Sequence, residues 1–184
     1  MTQTPDTITP APHRSPQETG LRPFVFYIIV LIVFAADQWS KMWIQKSLGY
    51  EQSREVFGQR FLLTLTHNTG GAWGLLPHGN PIFIVFALVA TAALLFAYYR
   101  VARPDSLIAG AFALALGGAF GNLLDRLRFG YVVDFFDARF IHWPIFNIAD
   151  SAITLSILLL FIHFFRSAKS EADETAPTAQ RTAE

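Results

Sequence analysis

Four long runs of the chain are almost free of charge, and they restrict its fold more than any other feature. A helix needs about 20 mostly apolar residues to cross the hydrocarbon of a bilayer. The runs are Pro23–Ile44, whose clean part ends at Ala36 before Asp37; Gly79–Tyr99; Ser106–Leu124; and Trp143–Phe165, interrupted only by Asp150. So many stretches of this length within 184 residues do not suit a soluble helix bundle. They predict an all-α membrane protein with four transmembrane helices. Residues 1–22 and 167–184 are polar and are expected to be disordered tails around a membrane domain at 23–166. The stretch Pro23–Ala36 also has the character of a signal-peptide core, with small residues at Ala35 and Ala36. Trp39, Met42, Trp43 and Ile44 carry the apolar pattern onward, so it is read as an uncleaved span.

An even number of spans puts both termini on one side of the membrane, and the links Gln45–His78 and Asp125–His142 on the other. Basic residues flank the spans on both sides, so the positive-inside rule does not orient the protein. In the first of these links, Glu55-Val56-Phe57 and Arg60–Thr66 are β-prone around Gly58-Gln59. They predict a small sheet between the first two helices. Its free edges cannot lie in hydrocarbon, so it belongs at the membrane surface or against protein.

Parity also gathers Asp37, Asp125, Asp134 and Asp150 at one face. An ionisable group inside a span costs roughly 2.5–3.5 kcal/mol on insertion scales and points to function. Asp134, at the mouth of the last span, and Asp150, within it, can form a pair. Two close carboxylates in a dry cleft share one proton. The ionised one can then activate water while the other donates to a carbonyl oxygen. The alternative is two unrelated acids hydrated at the interface. Asn122, Asp125 and Arg126 share one end of the third span, at spacings that place Asn122 beside both of the others; they also read as a polar helix cap. Ala113, Gly117 and Gly121 form a small-residue stripe for close helix approach. Asn68 to Gly74 is a glycine-rich turn in which Asn68 can bond a substrate amide or a carboxylate. Asp37 and Lys41, at helical i and i+4, are either an exposed pair or a buried polar anchor.

Other chemistries find less support. The chain has no cysteine, which removes disulfides, thiolate nucleophiles and Cys-ligated metals. Lys+Arg and Asp+Glu balance at 14 each, giving no electrostatic case for nucleic-acid binding. Ser40 and Ser151 are possible nucleophiles, and His67, His78, His142 and His163 possible bases, but no Gly-x-Ser-x-Gly or His-Glu-x-x-His motif occurs. A transporter or proton relay would favour inverted repeats or broken helices, and no repeat is visible. A purely structural membrane protein leaves the gathering of Asn68, Asp134 and Asp150 on one side unexplained.

Five segments in order resemble the bacterial lipoprotein signal peptidase, or signal peptidase II, family. They are Asp37-Gln38, Asn68-Thr69-Gly70-Gly71-Ala72-Trp73, Gly121-Asn122-Leu123-Leu124-Asp125-Arg126, Val132-Val133-Asp134-Phe135 and Phe146-Asn147-Ile148-Ala149-Asp150-Ser151, and the resemblance covers about Pro23 to Phe165. It implies a four-helix membrane aspartyl endopeptidase with Asp134 and Asp150 as its catalytic dyad. It implies a substrate-binding role for Asn68, Gly70, Asn122, Arg126 and Asn147, and a supporting role for Asp37 and Asp125. The implied substrate is a prolipoprotein with a diacylglyceryl group on a Cys, cut just before that Cys. The implied setting is the bacterial cytoplasmic membrane, with cytoplasmic termini and the active site near the outer face. A small extracytoplasmic β-cradle matching Glu55–Thr66, inhibition by globomycin-type peptides, no cofactor and a monomeric state complete the expectation. Gly71 and Trp73 depart mildly from the family pattern, and the Asp134–Asp150 link is short.

Overall fold

The computed structural model describes residues 21–70, 79–102 and 106–181. Most of the expected N-terminal tail, the Gly71 to Gly74 part of the turn and His78 lie outside the described residues. The elements in chain order are α1 (Pro23–Ser47), β1 (Ser53–Phe57), β2 (Phe61–Asn68), α2 (Asn80–Ala97), α3 (Ser106–Phe129), β3 (Val132–Asp137) and α4 (Ile148–Arg181). A π turn, Tyr98–Ala102, follows α2, and a 3-10 turn, Arg139–Ile141, follows β3.

Four helices are long and apolar enough to cross a membrane: Pro23–Ser47, Asn80–Arg100, Ser106–Phe129 and Ile148–Ala168. At 25 residues, α1 is about 37 Å long, ample for a hydrocarbon core of about 30 Å. The helix α3 sits at the centre. It buries 56% of its apolar window inside the protein, against 22%, 6% and 17% for α1, α2 and α4, and it touches all three. Its small residues make this possible. A Cβ on Gly117 would lie 2.7 Å from Val33 Cβ of α1, and one on Gly118 would lie 2.5 Å from Ala149 O of α4. A Cβ on Gly121 would collide with the Asp37 carboxylate. The small-residue stripe thus seats α1, and Gly118 beside it seats α4. Side chains such as Leu31, Ile32, Phe86, Val89, Phe161 and Phe164 point outward, as lipid-facing positions do.

Several helix boundaries differ from expectation. The third helix runs past Leu124 to Phe129, carrying Asp125 and Arg126 within the helix. The fourth begins at Ile148 and not at Trp143. Pro144 drives the residue before it toward extended backbone, and Phe146 is tied to β3: the Phe136 N–H donates to Phe146 O at 2.7 Å and the Phe146 N–H to Phe136 O at 3.1 Å. The helical ladder of α4 also extends to Arg181, into the segment expected to be a tail. Ala168, Lys169, Glu171 and Ala172 are favourable helix residues.

The sheet is antiparallel, in the order β1-β2-β3. The hairpin β1–β2 is the one expected between the first two helices. The third strand comes from the link between α3 and α4. Ile44 of α1, Leu65 of β2, and Val133 and Phe135 of β3 form a buried apolar cluster that fixes the sheet on the end of the bundle.

Candidate functional site

The end of α4 nearest the sheet is organised by a reciprocal cap. Asn147 immediately precedes the helix and Asp150 lies in its first turn. The Asp150 N–H donates to Asn147 Oδ1 at 2.9 Å, and the Asn147 N–H donates to Asp150 Oδ2 at 3.2 Å. This is the geometry of a capping box, and the helix dipole favours an anion there. Part of what makes Asp150 tolerable in an apolar span is therefore its position at the helix start.

Asp134 reaches the same place from the sheet. The β2–β3 register sets Thr66 opposite Asp134, so Asn68, two residues on, shares that face. Asn68 Nδ2 donates to Asp134 Oδ2 at 2.9 Å, while the Gly70 N–H donates to Asn68 Oδ1 at 3.2 Å and orients the amide. Asn147 Nδ2 donates to Asp134 Oδ1 at 2.6 Å. Asn147 thus binds both aspartates, Asp134 through its side chain and Asp150 through reciprocal bonds. Asn122 of α3 completes the set, with Nδ2 donating to Asp150 Oδ1 at 2.8 Å. Asp134 is 1% exposed. Burial first, and the neighbouring Asp150 charge second, push its carboxyl up to about 7, against hydrogen bonds from Asn68 and Asn147 and the Lys41 charge.

Behind this set lies a buried ionic cluster. Lys41 Nζ is 2.8 Å from Asp37 Oδ2 and 2.9 Å from Asp125 Oδ2, and it donates to Asn122 Oδ1 at 2.9 Å. Asp37 Oδ1 accepts from the Ala149 N–H at 3.0 Å, and Asp125 Oδ2 from the Val133 N–H at 3.1 Å. Gln38 Nε2 donates to Asp125 Oδ1 at 3.1 Å and to Gly121 O at 3.2 Å. Asp37 and Lys41 are therefore the buried anchor and not the exposed pair. Arg126 lies with Cζ 5.0 Å from the centre of the Phe83 ring of α2, and its Nη1 donates to Asn122 O at 3.3 Å. That cation–π contact ties α2 to the site.

Every site residue named from the sequence lies in this region. Lys41 enters the sequence reading only as the partner of Asp37, exposed or buried, and Gln38 only within the Asp37-Gln38 segment; helical spacing does not tell a buried pair from an exposed one. The other catalytic sets do not assemble among the described residues. Ser40 Oγ donates to Asp37 O at 2.8 Å and Ser151 Oγ to Asn147 O at 2.9 Å, each serving its own helix. His67 is stacked on Tyr131 at 3.9 Å and lies 4.8 Å from Tyr50, and burial pushes its pKa down. Among the described residues no group of His, Asp and Glu converges as a metal-binding set. An apolar cavity of about 360 Å³ is lined on α3 by Phe120, Leu123, Leu124 and Leu127. At about 100° per residue Phe120, Leu124 and Leu127 face away from Asn122 and Arg126, so most of that cavity's α3 wall lies on another face from the polar site.

Four membrane-capable helices, a small sheet and a buried carboxylate cluster at one end define a multi-pass membrane protein with an enzyme-like site. A family model described as Signal peptidase (SPase) II matches residues 29–166. The lipoprotein signal peptidase of Moorella thermoacetica is 46% identical over 136 residues, covering 73% of this chain and 89% of the relative. That of Halothermothrix orenii is 39% identical, covering 78% and 97%. A solved structure titled as a bacterial membrane enzyme, at 2.3 Å resolution, superposes with a TM-score of 0.78 at 29% identity, covering 83% of this chain and 94% of that one. A second, at 1.9 Å, gives 0.74 at 30% identity, covering 81% and 97%. The chain belongs to the signal peptidase II family and is a peptidase of the aspartic class.

Proposed function

We propose that the protein removes the signal peptide from diacylglyceryl-modified prolipoproteins, cutting just N-terminal to the lipid-modified Cys, with Asp134 and Asp150 as the reacting pair. The observation that carries this reading is Asn147, which hydrogen-bonds both carboxylates from one buried position. Asp134, whose carboxyl is raised by burial first and by the Asp150 charge second, holds the shared proton, and Asp150 is the base. Asp150 takes a proton from water as the oxygen bonds to the scissile carbonyl carbon. Asp134 gives its proton to the carbonyl oxygen, forming a gem-diol. Collapse breaks the C–N bond: Asp150 returns its proton to the leaving nitrogen, and Asp134 recovers one from a diol hydroxyl. Asn68, Gly70, Asn122, Arg126 and Asn147 line the peptide's path, supported by Asp37 and Asp125. The acyl chains stay in the lipid while the peptide crosses to the pair. In this reading the protein acts as a monomer in the bacterial cytoplasmic membrane, with cytoplasmic termini and the site near the outer face. Globomycin-type peptides compete for the site.

The test is cleavage of a diacylglyceryl-prolipoprotein by the purified protein, followed by mass spectrometry of the products. Asp134→Asn and Asp150→Asn should each abolish a cut that leaves lipidated Cys at the new N-terminus. A cut elsewhere, or near-wild-type rates in both folded variants, refutes the reading.

A further inference from the structure

Lys41 has no part in the steps above, yet it is 2% exposed and among the largest fully buried side chains. An ammonium carries three hydrogens and accepts nothing. Here the hydrogens face Asp37 Oδ2, Asp125 Oδ2 and Asn122 Oδ1. Asn122 can meet that donor only with its oxygen, so its amide nitrogen is turned toward Asp150. The same Asn122 oxygen accepts from Asn147 Nδ2 at 3.0 Å, which leaves Asn147 Oδ1 facing the Asp150 N–H. Rotating the Asn122 amide by half a turn would set its oxygen against the Asp150 carboxylate and its NH2 against the ammonium.

We propose that Lys41 is a positioning residue that fixes the polarity of the Asn122 and Asn147 amides, so that their N–H groups point at Asp150 and Asp134. The proposal rests on the reading of those aspartates as the reacting pair. A hydroxyl or carboxamide at position 41 would accept as well as donate and would permit either orientation; an ammonium permits one. A buried ammonium needs paired anions, and Asp37 and Asp125 supply them. Each is also anchored elsewhere, Asp37 on α4 through Ala149 and Asp125 on β3 through Val133. The charge that sets the amides is thereby registered against both elements that carry the aspartates.

The experiment is a double-mutant cycle on the full chain in detergent, with Lys41→Met, Asn122→Ala and both together, assayed on a synthetic diacylglyceryl-Cys prolipoprotein. Lys41→Met should lower kcat by about tenfold to 100-fold with KM little changed, the scale of loss that misplacement of a reacting group produces. In the Asn122→Ala background it should add almost nothing, because it acts through that amide. Losses that multiply, or a lowered melting temperature with kcat retained, overturn the proposal. If Lys41→Met does not fold, Asp37→Asn/Lys41→Met, which removes an anion along with the cation, takes its place against an Asp37→Asn reference. Failure of both to fold would assign the cluster to stability alone and also overturn the proposal. A wild-type protein inactive on this substrate overturns the peptidase reading itself, whereas active wild type with multiplying losses overturns only the role of Lys41.

Discussion

At the scale of single residues, the two aspartates differ in ways their sequence context does not display. Asp150 is held by a helix start and two N–H donors, surroundings that suit a charge. Asp134 is buried in the sheet's inner face, surroundings that suit a proton. A carboxyl that ionises near 3.8 when unfolded and about 7 when folded binds its proton more tightly in the folded state. Its stabilising contribution is complete below the unfolded value and is lost as pH rises through the folded one. The melting temperature of Asp134→Asn relative to wild type should therefore rise between about pH 5 and about pH 8. A constant difference would remove the ionisation from the account. For catalysis, kcat/KM should fall on the alkaline side with an apparent midpoint near 7, since the proton donor of the free protein is lost there. A flat profile up to about pH 9 would deny Asp134 that role.

At the scale of elements, α3 is the organiser, and Gly118 is its closest approach to the backbone of another helix. A Cβ there would meet Ala149 O at 2.5 Å and Ala149 C at 3.2 Å, both backbone atoms that no rotamer change can move. Gly118→Ala should push the first turn of α4, with Asp150, away from Asn122. It should cost about 1–3 kcal/mol of stability, the usual range for overpacking, and most of the cleavage rate. At Gly110 a Cβ would meet only a leucine methyl at 3.8 Å, so Gly110→Ala should behave like wild type. Thermal unfolding and rate, measured side by side, check both. The four helices could be read from the sequence because uncharged runs of that length have no other stable home. The hairpin β1–β2 could be read from local β-propensity and a glycine turn. The strand β3 could not, although Val132-Val133-Asp134-Phe135-Phe136 is β-prone, because pairing to β2 is set by residues far apart in the chain and by the buried face. The contact of Lys41 with Asn122 was hidden for the same reason: the two residues are 81 positions apart.

At the scale of the whole molecule, the helix order gathers the buried polar residues of the candidate site at one end of the bundle. The absence of cysteine makes the proposed orientation directly testable. A single Glu55→Cys on exposed β1 should react with a membrane-impermeant maleimide in intact cells, whereas a C-terminal tag should be reached only after permeabilisation. The opposite pattern would invert the topology. The arrangement of the site also has a consequence in time. Asp134 leaves the ribosome before Asn147 and Asp150, and α4 must dock on α3 before the asparagines can bridge the two carboxylates. With Asp134 and Asp150 as the proposed reacting pair, a chain still being synthesised, or one truncated before its last helix, holds half a site and should be inert. In that reading the final span arms the protein only once the remainder has been made, and a partly built peptidase has no means to cut its neighbours.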